Sequence, residues 1–192
     1  FTADWIWKRD TRDGVPATLV VPSTGLHTVH LWMREDGMKV DKILLRTASS
    51  STPPSGLGPA ESPRVDVSPP PPPPPGTMAF VESSGQVVIE AQHYDGIVDR
   101  SGHSWTVQTA QAGYSGTGYI EATSNDGTTI STNYVTTSPE VIYSVQFSTP
   151  GTYYVWIRGA GPTGLDDTLH AGIDGTGPAS ADQMSGFTAD WI

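Results

Sequence analysis

The chain contains no cysteine, which excludes disulfides, thiolate catalysis and Cys-ligated zinc. It also has no apolar run of the roughly 20 residues that a membrane-spanning helix needs, so no membrane span is predicted. Positive charge is scarce: ten Lys and Arg against 20 Asp and Glu give a net charge of −10, which repels phosphate and argues against a nucleic-acid partner. Strong helix formers are few, whereas 21 Gly and 17 Pro accompany many Thr, Ser and Val residues. This composition indicates an all-β domain with a linker.

The hexapeptide FTADWI occurs twice, at residues 1–6 and again at residues 187–192. Six identical residues that include a Trp are a repeat signature, and the simplest interpretation is a window from a tandem array, slightly longer than one period. The alternative is an artefactual duplication of one strand, which would leave the module itself intact. Whether such an array is covalent or built from subunits that exchange segments stays open, because both produce the same sequence.

Residues 49–78 are predicted to be a Pro/Ser-rich linker that contains seven consecutive prolines, Pro69 to Pro75. The proline run should form polyproline II helix on a surface, either packed on a neighbouring module or stiffened by sugars. Ser and Thr beside Pro are typical of O-glycosylated stalks. The candidate glycosylation sites are Ser49, Ser50, Ser51, Thr52, Ser55, Ser62, Ser68 and Thr77.

The remaining two pieces form one module when residues 79–192 are placed before residues 1–48. Short strand signals separated by Gly-containing turns predict an antiparallel β-sandwich of the jelly-roll type. Eight strands are predicted, at residues 17–21, 27–33, 39–45, 87–91, 118–122, 141–147, 152–158 and 168–173. Alternation along the sixth and seventh of these predicts two core faces, which carry Tyr143, Val145, Phe147 and Tyr153, Val155, Ile157.

Four segments resemble jelly-roll carbohydrate-binding modules, in particular families six and thirty-five and malectin-like domains. They read VIEAQHYD at 88–95, GYSGTGYI at 113–120, STPGTYYVWIR at 148–158 and HTVHLWMREDGMKVDKILL at 27–45. In that family the EAE-type strand comes first and the DKI-type strand last. The resemblance therefore implies that residues 1–48 are the C-terminal strands of one module and residues 79–192 the N-terminal strands of the next copy.

The resemblance also implies a structural calcium ion, held by the first-strand acids and by an aspartate near the end of the last strand. The matching residues are Glu90, Gln92 and Asp41. Calcium prefers six to eight oxygen ligands, several of them carboxylate, and Gln92 removes one negative charge from the family pattern, which should weaken binding. The alternative is that Glu90 and Asp41 are ordinary polar residues at strand ends.

Sugar binding in the family uses aromatic side chains on loops at one edge, because the apolar face of a pyranose can stack on a ring. Trp105, Tyr114 and Tyr119 are the candidates, and Trp5 and Trp7 share one strand face. Packing in the core is the alternative for each. For Trp32, Trp156 and Tyr153, strand context favours the core.

Catalytic patterns are poor. Asp166 and Asp167, like Glu35 and Asp36, are sequence neighbours, and neighbours on a strand point to opposite faces. The five histidines show no metal-type spacing with an acidic partner. The sequence therefore predicts that the chain is not an enzyme.

Two functions fit these predictions. The favoured one is a structural subunit of an extracellular tandem-repeat fibre, whose partners are neighbouring copies of itself and glycans. The alternative is a carbohydrate-binding module of a larger secreted polysaccharide-active enzyme or adhesin. Both imply an extracellular or cell-surface location.

Overall fold

The computed structural model describes residues 4–67 and 78–188. The run Pro69–Pro75 and the candidate glycosylation sites Ser68 and Thr77 lie outside these described residues. Within the described ranges, no helix is long and apolar enough to cross a membrane.

The described chain is almost entirely β-structure, which confirms the predicted all-β sandwich. Its strands are β1 (Ile6–Lys8), β2 (Thr18–Val21), β3 (Gly25–Met33), β4 (Lys39–Arg46), β5 (Arg64–Asp66), β6 (Met78–Val81), β7 (Gln86–Glu90), β8 (Gly96–Val98), β9 (Ser104–Gln108), β10 (Tyr119–Thr123), β11 (Glu140–Phe147), β12 (Gly151–Ala160) and β13 (Leu169–Ile173). A one-turn helix α1 (Tyr134–Thr137) and a 3-10 turn (Ala179–Ala181) are the helical elements of the described ranges.

The strands form two sheets. The first runs in the order β1-β12-β4-β10-β9, with β2 also paired to β12 and β7 to β4; the second runs β13-β3-β11-β6-β5, with β8 paired to β11. Every pair is antiparallel except β6 with β11, which is parallel. Each sheet contains strands from both pieces of the chain, so residues 1–48 and 79–173 build one sandwich together.

The core lies between the sheets and contains both predicted faces. Tyr143, Val145 and Phe147 from β11 are fully buried. Tyr153, Val155 and Ile157 from β12 are fully buried as well. Trp32, Trp156 and Tyr153 are at most 3% exposed, so all three are buried as predicted, but of the three only Tyr153 belongs to the core between the sheets; Trp156 packs with Trp7, Leu44 and Val88 in a separate buried cluster.

Described residues of both FTADWI copies lie beside the C-terminal end of β12. Ile6 of the first copy pairs with Gly159. Phe187 of the second copy is fully buried, and its carbonyl accepts a hydrogen bond from the Gly161 amide at 3.0 Å. Phe187 of the C-terminal copy therefore lies close to Gly159, with which Ile6 of the N-terminal copy pairs. The exchange of residues 1–48 between neighbouring copies stays a prediction.

The first half of the predicted linker is docked on the outer face of the first sheet. Long side chains of that face donate hydrogen bonds to linker carbonyls: Arg9 to Ser49 and Ser50, Arg46 to Ser50 and Thr52, Lys42 to Leu57 and Pro59, and Trp7 and Arg158 to Gly56. The linker also contains a short strand, since β5 pairs with β6. It is ordered here because buried donors satisfy its backbone.

Candidate functional site

A polar loop, residues 111–118, lies over two buried carboxylates at one end of the first sheet. Asp41 on β4 is completely buried, and Glu90 at the end of β7 is 6% exposed. The Ser115 amide donates to Oδ1 of Asp41 at 2.7 Å, and the Ser115 hydroxyl donates to Oε1 of Glu90 at 2.7 Å. One serine thus ties the middle of the loop to both acids.

Two buried cations of the same sheet balance these carboxylates. Arg158 on β12 donates to Oδ2 of Asp41 at 2.5 Å, and Nζ of Lys42 lies 3.0 Å from Oε1 of Glu90. Burial raises the pKa of Asp41, while the hydrogen bonds from Ser115 and Arg158 act in the opposite direction. The cluster is therefore a pair of buried ion pairs whose partners depend on each other.

The three residues predicted to hold calcium converge at this loop. In the orientation of the Gln92 amide that satisfies its hydrogen bonds, its nitrogen donates to the Gly118 carbonyl at 2.9 Å and its oxygen accepts from the Thr117 amide at 3.2 Å. Gly116 is required beside it, because a Cβ there would lie 2.3 Å from the end of the Gln92 side-chain amide and its φ is +62°. The calcium ligand set Glu90, Gln92 and Asp41 stays a prediction.

Charge in the cluster is already supplied by the chain. Lys42 and Arg158 occupy the positions around Asp41 and Glu90 from which a calcium ion would otherwise neutralise them. The remaining acceptor is Oε2 of Glu90, which is buried and has no hydrogen-bond partner among the described residues. A cation that binds here competes with the Lys42 ammonium and the Arg158 guanidinium. These two side chains of the protein already neutralise the carboxylates and thereby stabilise the loop.

For two of the three predicted sugar-stacking residues, the prediction of an exposed ring is wrong. Trp105 and Tyr119 are each 1% exposed, so neither ring can lie against a sugar. The Trp105 indole donates to the Pro139 carbonyl at 3.2 Å, and the Tyr119 hydroxyl accepts from the Gln111 amide at 3.3 Å. The two rings lie on opposite faces of the β9–β10 pair: Trp105 belongs to the core between the sheets, whereas Tyr119 is on the other face and packs against Trp5 and Tyr114. Burial also raises the pKa of Tyr119.

The third candidate, Tyr114, is half-buried and forms an aromatic group with Trp5. Buried Tyr119 lies between them, with ring centroids 5.0 Å from Trp5 and 5.9 Å from Tyr114. The Trp5 indole donates to the Ala112 carbonyl at 3.0 Å, which attaches β1 to the loop. The Arg158 guanidinium lies 5.6 Å from the centre of the Trp5 ring. We call Trp5, Tyr114 and Tyr119 the aromatic cluster.

A cleft of about 550 Å³ begins at the aromatic cluster. It is lined by Trp5, Ile6, Trp7, Lys8, Pro53, Pro54, Gly56, Arg158 and Thr188. Its walls combine indole and proline surfaces with a guanidinium, an ammonium and a hydroxyl group. Such a surface can stack on an apolar ring face and donate hydrogen bonds to hydroxyl or carboxylate oxygens. Sequence reasoning missed Arg158 and Pro53, because their link to the aromatic residues exists only in three dimensions.

The candidate glycosylation sites differ in access. Ser49, Ser50, Ser51, Thr52 and Ser55 are exposed. The Ser62 hydroxyl instead accepts from the Val88 amide at 2.9 Å, which engages it with β7. Glycosylation of the exposed sites stays a prediction.

The fold and the cleft together define the class of protein. It is a β-sandwich module with an aromatic cleft at the edge of the first sheet. The model of the glycosyl hydrolase family 115 C-terminal domain matches residues 79–177, slightly more than half of the chain. The chain therefore belongs to this family of domains. The matched range covers β6 to β13, and β1 to β5 complete the two sheets.

A curated relative is Uncharacterized protein P23 of Formosa agariphila, which is 41% identical over 44 residues. The alignment covers 23% of this chain and 11% of that protein, so the chain matches only a small part of its relative. No solved structure matches the chain significantly.

Proposed function

We propose that the chain is a non-catalytic carbohydrate-binding module of a larger, secreted glycosyl hydrolase. Membership in a family of glycosyl hydrolase C-terminal domains supports this reading, which is the alternative of the sequence analysis, better than it supports a fibre subunit. The observation that carries it is half-buried Trp5, which lines a cleft that also has polar donors and which packs on Tyr119 together with Tyr114. Secretion follows from the substrate class, since polysaccharides are digested outside the cell.

The binding mode follows from the geometry of the cleft. The ring of Trp5 offers a face for the apolar side of a pyranose, while Arg158 and Thr188 supply hydrogen-bond donors in the same cleft, and Tyr114 packs on Tyr119 next to Trp5. Tyr119 keeps both outer rings in place from below, so the surface is rigid before binding. Little conformational entropy is lost on binding to such a preorganised surface.

Affinity electrophoresis against a panel of soluble plant and algal polysaccharides tests this proposal. The variants Trp5→Ala and Tyr114→Ala should each weaken binding about tenfold, because one stacking contact is worth about 1 kcal/mol or more. Tyr154→Ala is the matched control, since Tyr154 is also a half-buried aromatic residue but contacts Arg9, away from the cleft. Absence of binding to every polysaccharide, or equal losses in all three variants, would contradict the proposal.

A fibre built from tandem modules is the second candidate. The observation in its favour is the hexapeptide repeat, since described residues of both copies lie beside the C-terminal end of β12. Intact mass of the denatured protein, combined with electron microscopy, separates the two functions. Filaments of uniform width support the fibre, and a discrete chain joined to a catalytic domain supports the binding module.

We also propose that calcium stabilises the 111–118 loop of this module. If Glu90, Asp41 and Gln92 bind it, a chelator should lower the melting temperature by mass action. An unchanged melting temperature would reject the calcium site without affecting the carbohydrate-binding proposal.

A further inference from the structure

A second polar cluster lies at the opposite end of the β9–β10 hairpin from the aromatic cluster. It consists of Asp36 from the β3–β4 turn, His103 from the start of β9, and Asp126 from the loop after β10. One ligand atom from each residue lies within 4.8 Å of the others. Asp36 is fully buried and His103 is 6% exposed, whereas Asp126 faces solvent. We call these three residues the His103 cluster.

The imidazole of His103 is oriented like a metal ligand. Its Nδ1 lies 2.9 Å from the Ser101 carbonyl oxygen, and because a carbonyl only accepts, Nδ1 carries the proton. In the neutral ring, Nε2 then has a free lone pair, and Nε2 points at the two carboxylates. Its distances are 3.6 Å to Oδ2 of Asp36 and 3.4 Å to Oδ1 of Asp126.

Three groups that can only accept hydrogen bonds face one another, so a positive charge is needed between them. A proton on Nε2 would produce charge-assisted hydrogen bonds of about 2.7–2.9 Å, which is shorter than the observed separations. A zinc ion bound at about 2.0–2.2 Å to nitrogen and oxygen ligands in tetrahedral geometry separates those ligand atoms by about 3.4 Å. The two separations measured from Nε2, 3.6 and 3.4 Å, are close to this distance between zinc ligands.

Asp36 provides an independent observation. Its Oδ2 accepts hydrogen bonds from the amides of Asp126 and Gly127, at 2.5 and 3.0 Å. Its Oδ1 is buried and has no hydrogen-bond partner in the part of the chain that the structure describes. A buried carboxylate oxygen without a donor is costly, and a bound cation would remove that cost.

The surroundings complete the features of a metal site. The Thr128 hydroxyl donates to Oδ1 of Asp126 at 2.6 Å, which orients this carboxylate. A cleft of about 520 Å³, lined by residues 99–104 with Thr123 and Ser124, leads from solvent to His103. Three protein ligands leave a fourth position to water or to an oxygen of a bound molecule, reached through this cleft.

We propose that Asp36, His103 and Asp126 form a divalent metal site that selects zinc over calcium. The donor set is one imidazole nitrogen and two carboxylate oxygens, and imidazole favours zinc and its neighbours, whereas calcium prefers a shell made only of oxygens. The site is separate from the ligands Asp41, Glu90 and Gln92 predicted for calcium, and it is independent of the proposed carbohydrate binding.

Isothermal titration of metal-stripped, untagged protein with Zn²⁺ alone tests the proposal. We expect one Zn²⁺ per chain, and the variants His103→Gln and Asp126→Asn should weaken binding by at least about tenfold. His93→Gln is the matched control, because Nδ1 of His93 also pairs with a carboxylate, that of Glu61 at 2.7 Å, in a group without a third ligand among the described residues. This variant should bind zinc like the parent chain.

A second measurement reports the ligand geometry. Co²⁺ bound to the parent chain should give the intense visible absorption of a tetrahedral centre, and Asp126→Asn should lose it. Because Asp126 is exposed, this variant remains informative even if His103→Gln fails to fold. The proposal is overturned if the parent chain binds no zinc, if both site variants keep its affinity, or if His93→Gln loses as much affinity as they do.

Discussion

The substitution Arg158→Met should destabilise the fold more than any other single change in the site. The Arg158 guanidinium is the ion-pair partner of fully buried Asp41, and it also donates to the carbonyls of Gly56 and Gly113, each at 3.1 Å. Removing one partner of a buried ion pair leaves an uncompensated charge, which costs about 3–5 kcal/mol. For a chain of this size, that loss corresponds to a fall in melting temperature of roughly 6–20 °C.

The loss of stability should depend on pH, because in the variant Asp41 is still buried but no longer has a cationic partner. Burial already raises the pKa of Asp41 above the ordinary value of 3.8, and without Arg158 it rises further. An acid with a raised folded-state pKa contributes its stability below pH 3.8, and this contribution is lost as the pH rises through the folded-state value. Arg158→Met should therefore be closer to the parent chain at pH 4 than at pH 7.

Urea denaturation at both pH values, followed by tryptophan fluorescence, measures this effect. The double variant Arg158→Met/Asp41→Asn should recover much of the loss at pH 7, since position 41 no longer carries an unpaired buried charge. Arg46→Met is the matched control: Arg46 stacks on Trp156 at 4.9 Å and also binds linker carbonyls, but no buried acid depends on it. A loss below about 1 kcal/mol, or the same loss at both pH values, would refute this reasoning.

Two further predictions concern the linker and the repeat. Gly58→Ala should release the docked linker, because the new Cβ would lie 2.5 Å from the Trp7 ring at a φ of +72°. Limited proteolysis should therefore cut the linker faster in this variant. Gly56→Ala is the control: Gly56 has a similar φ of +55° but open space around it, so the rate of cutting should not change. A permuted chain that joins residues 78–192 directly to residues 7–67 keeps one FTADWI copy. It should melt within about 4 °C of the parent chain. An aggregated or unfolded product would contradict the interpretation that both copies lie beside the end of β12.

Local patterns predicted most of the sheet correctly. The eight predicted strands correspond to β2, β3, β4, β7, β10, β11, β12 and β13, with shifts of one or two residues at their ends. Alternation of Tyr143, Val145 and Phe147 marked the core face, because the period of two is a property of one strand. β5 and β8 were missed since each has three residues and depends on its partner strand.

Local patterns could not tell which aromatic residues are exposed. Trp105 lies in β9, and the sequence around it does not show which face the second sheet covers. Tyr114 is on a loop whose position depends on Ser115 and on acids far along the chain. The His103 cluster was missed for the same reason, because its three ligands come from three separate turns.

The linker bound to the first sheet is recognised through its backbone. All the hydrogen bonds from Arg9, Lys42, Arg46 and Arg158 to this segment end on carbonyl oxygens, which every amino acid provides. Gly58, Glu61 and Ser62 are exceptions, since a larger residue at 58 would collide with the Trp7 ring and the side chains of Glu61 and Ser62 accept hydrogen bonds from the Glu90 and Val88 amides. Most side chains of this segment can therefore change during evolution without altering its path. Related proteins can diverge in this region until their sequences no longer align, while the linker still follows the same path across the first sheet.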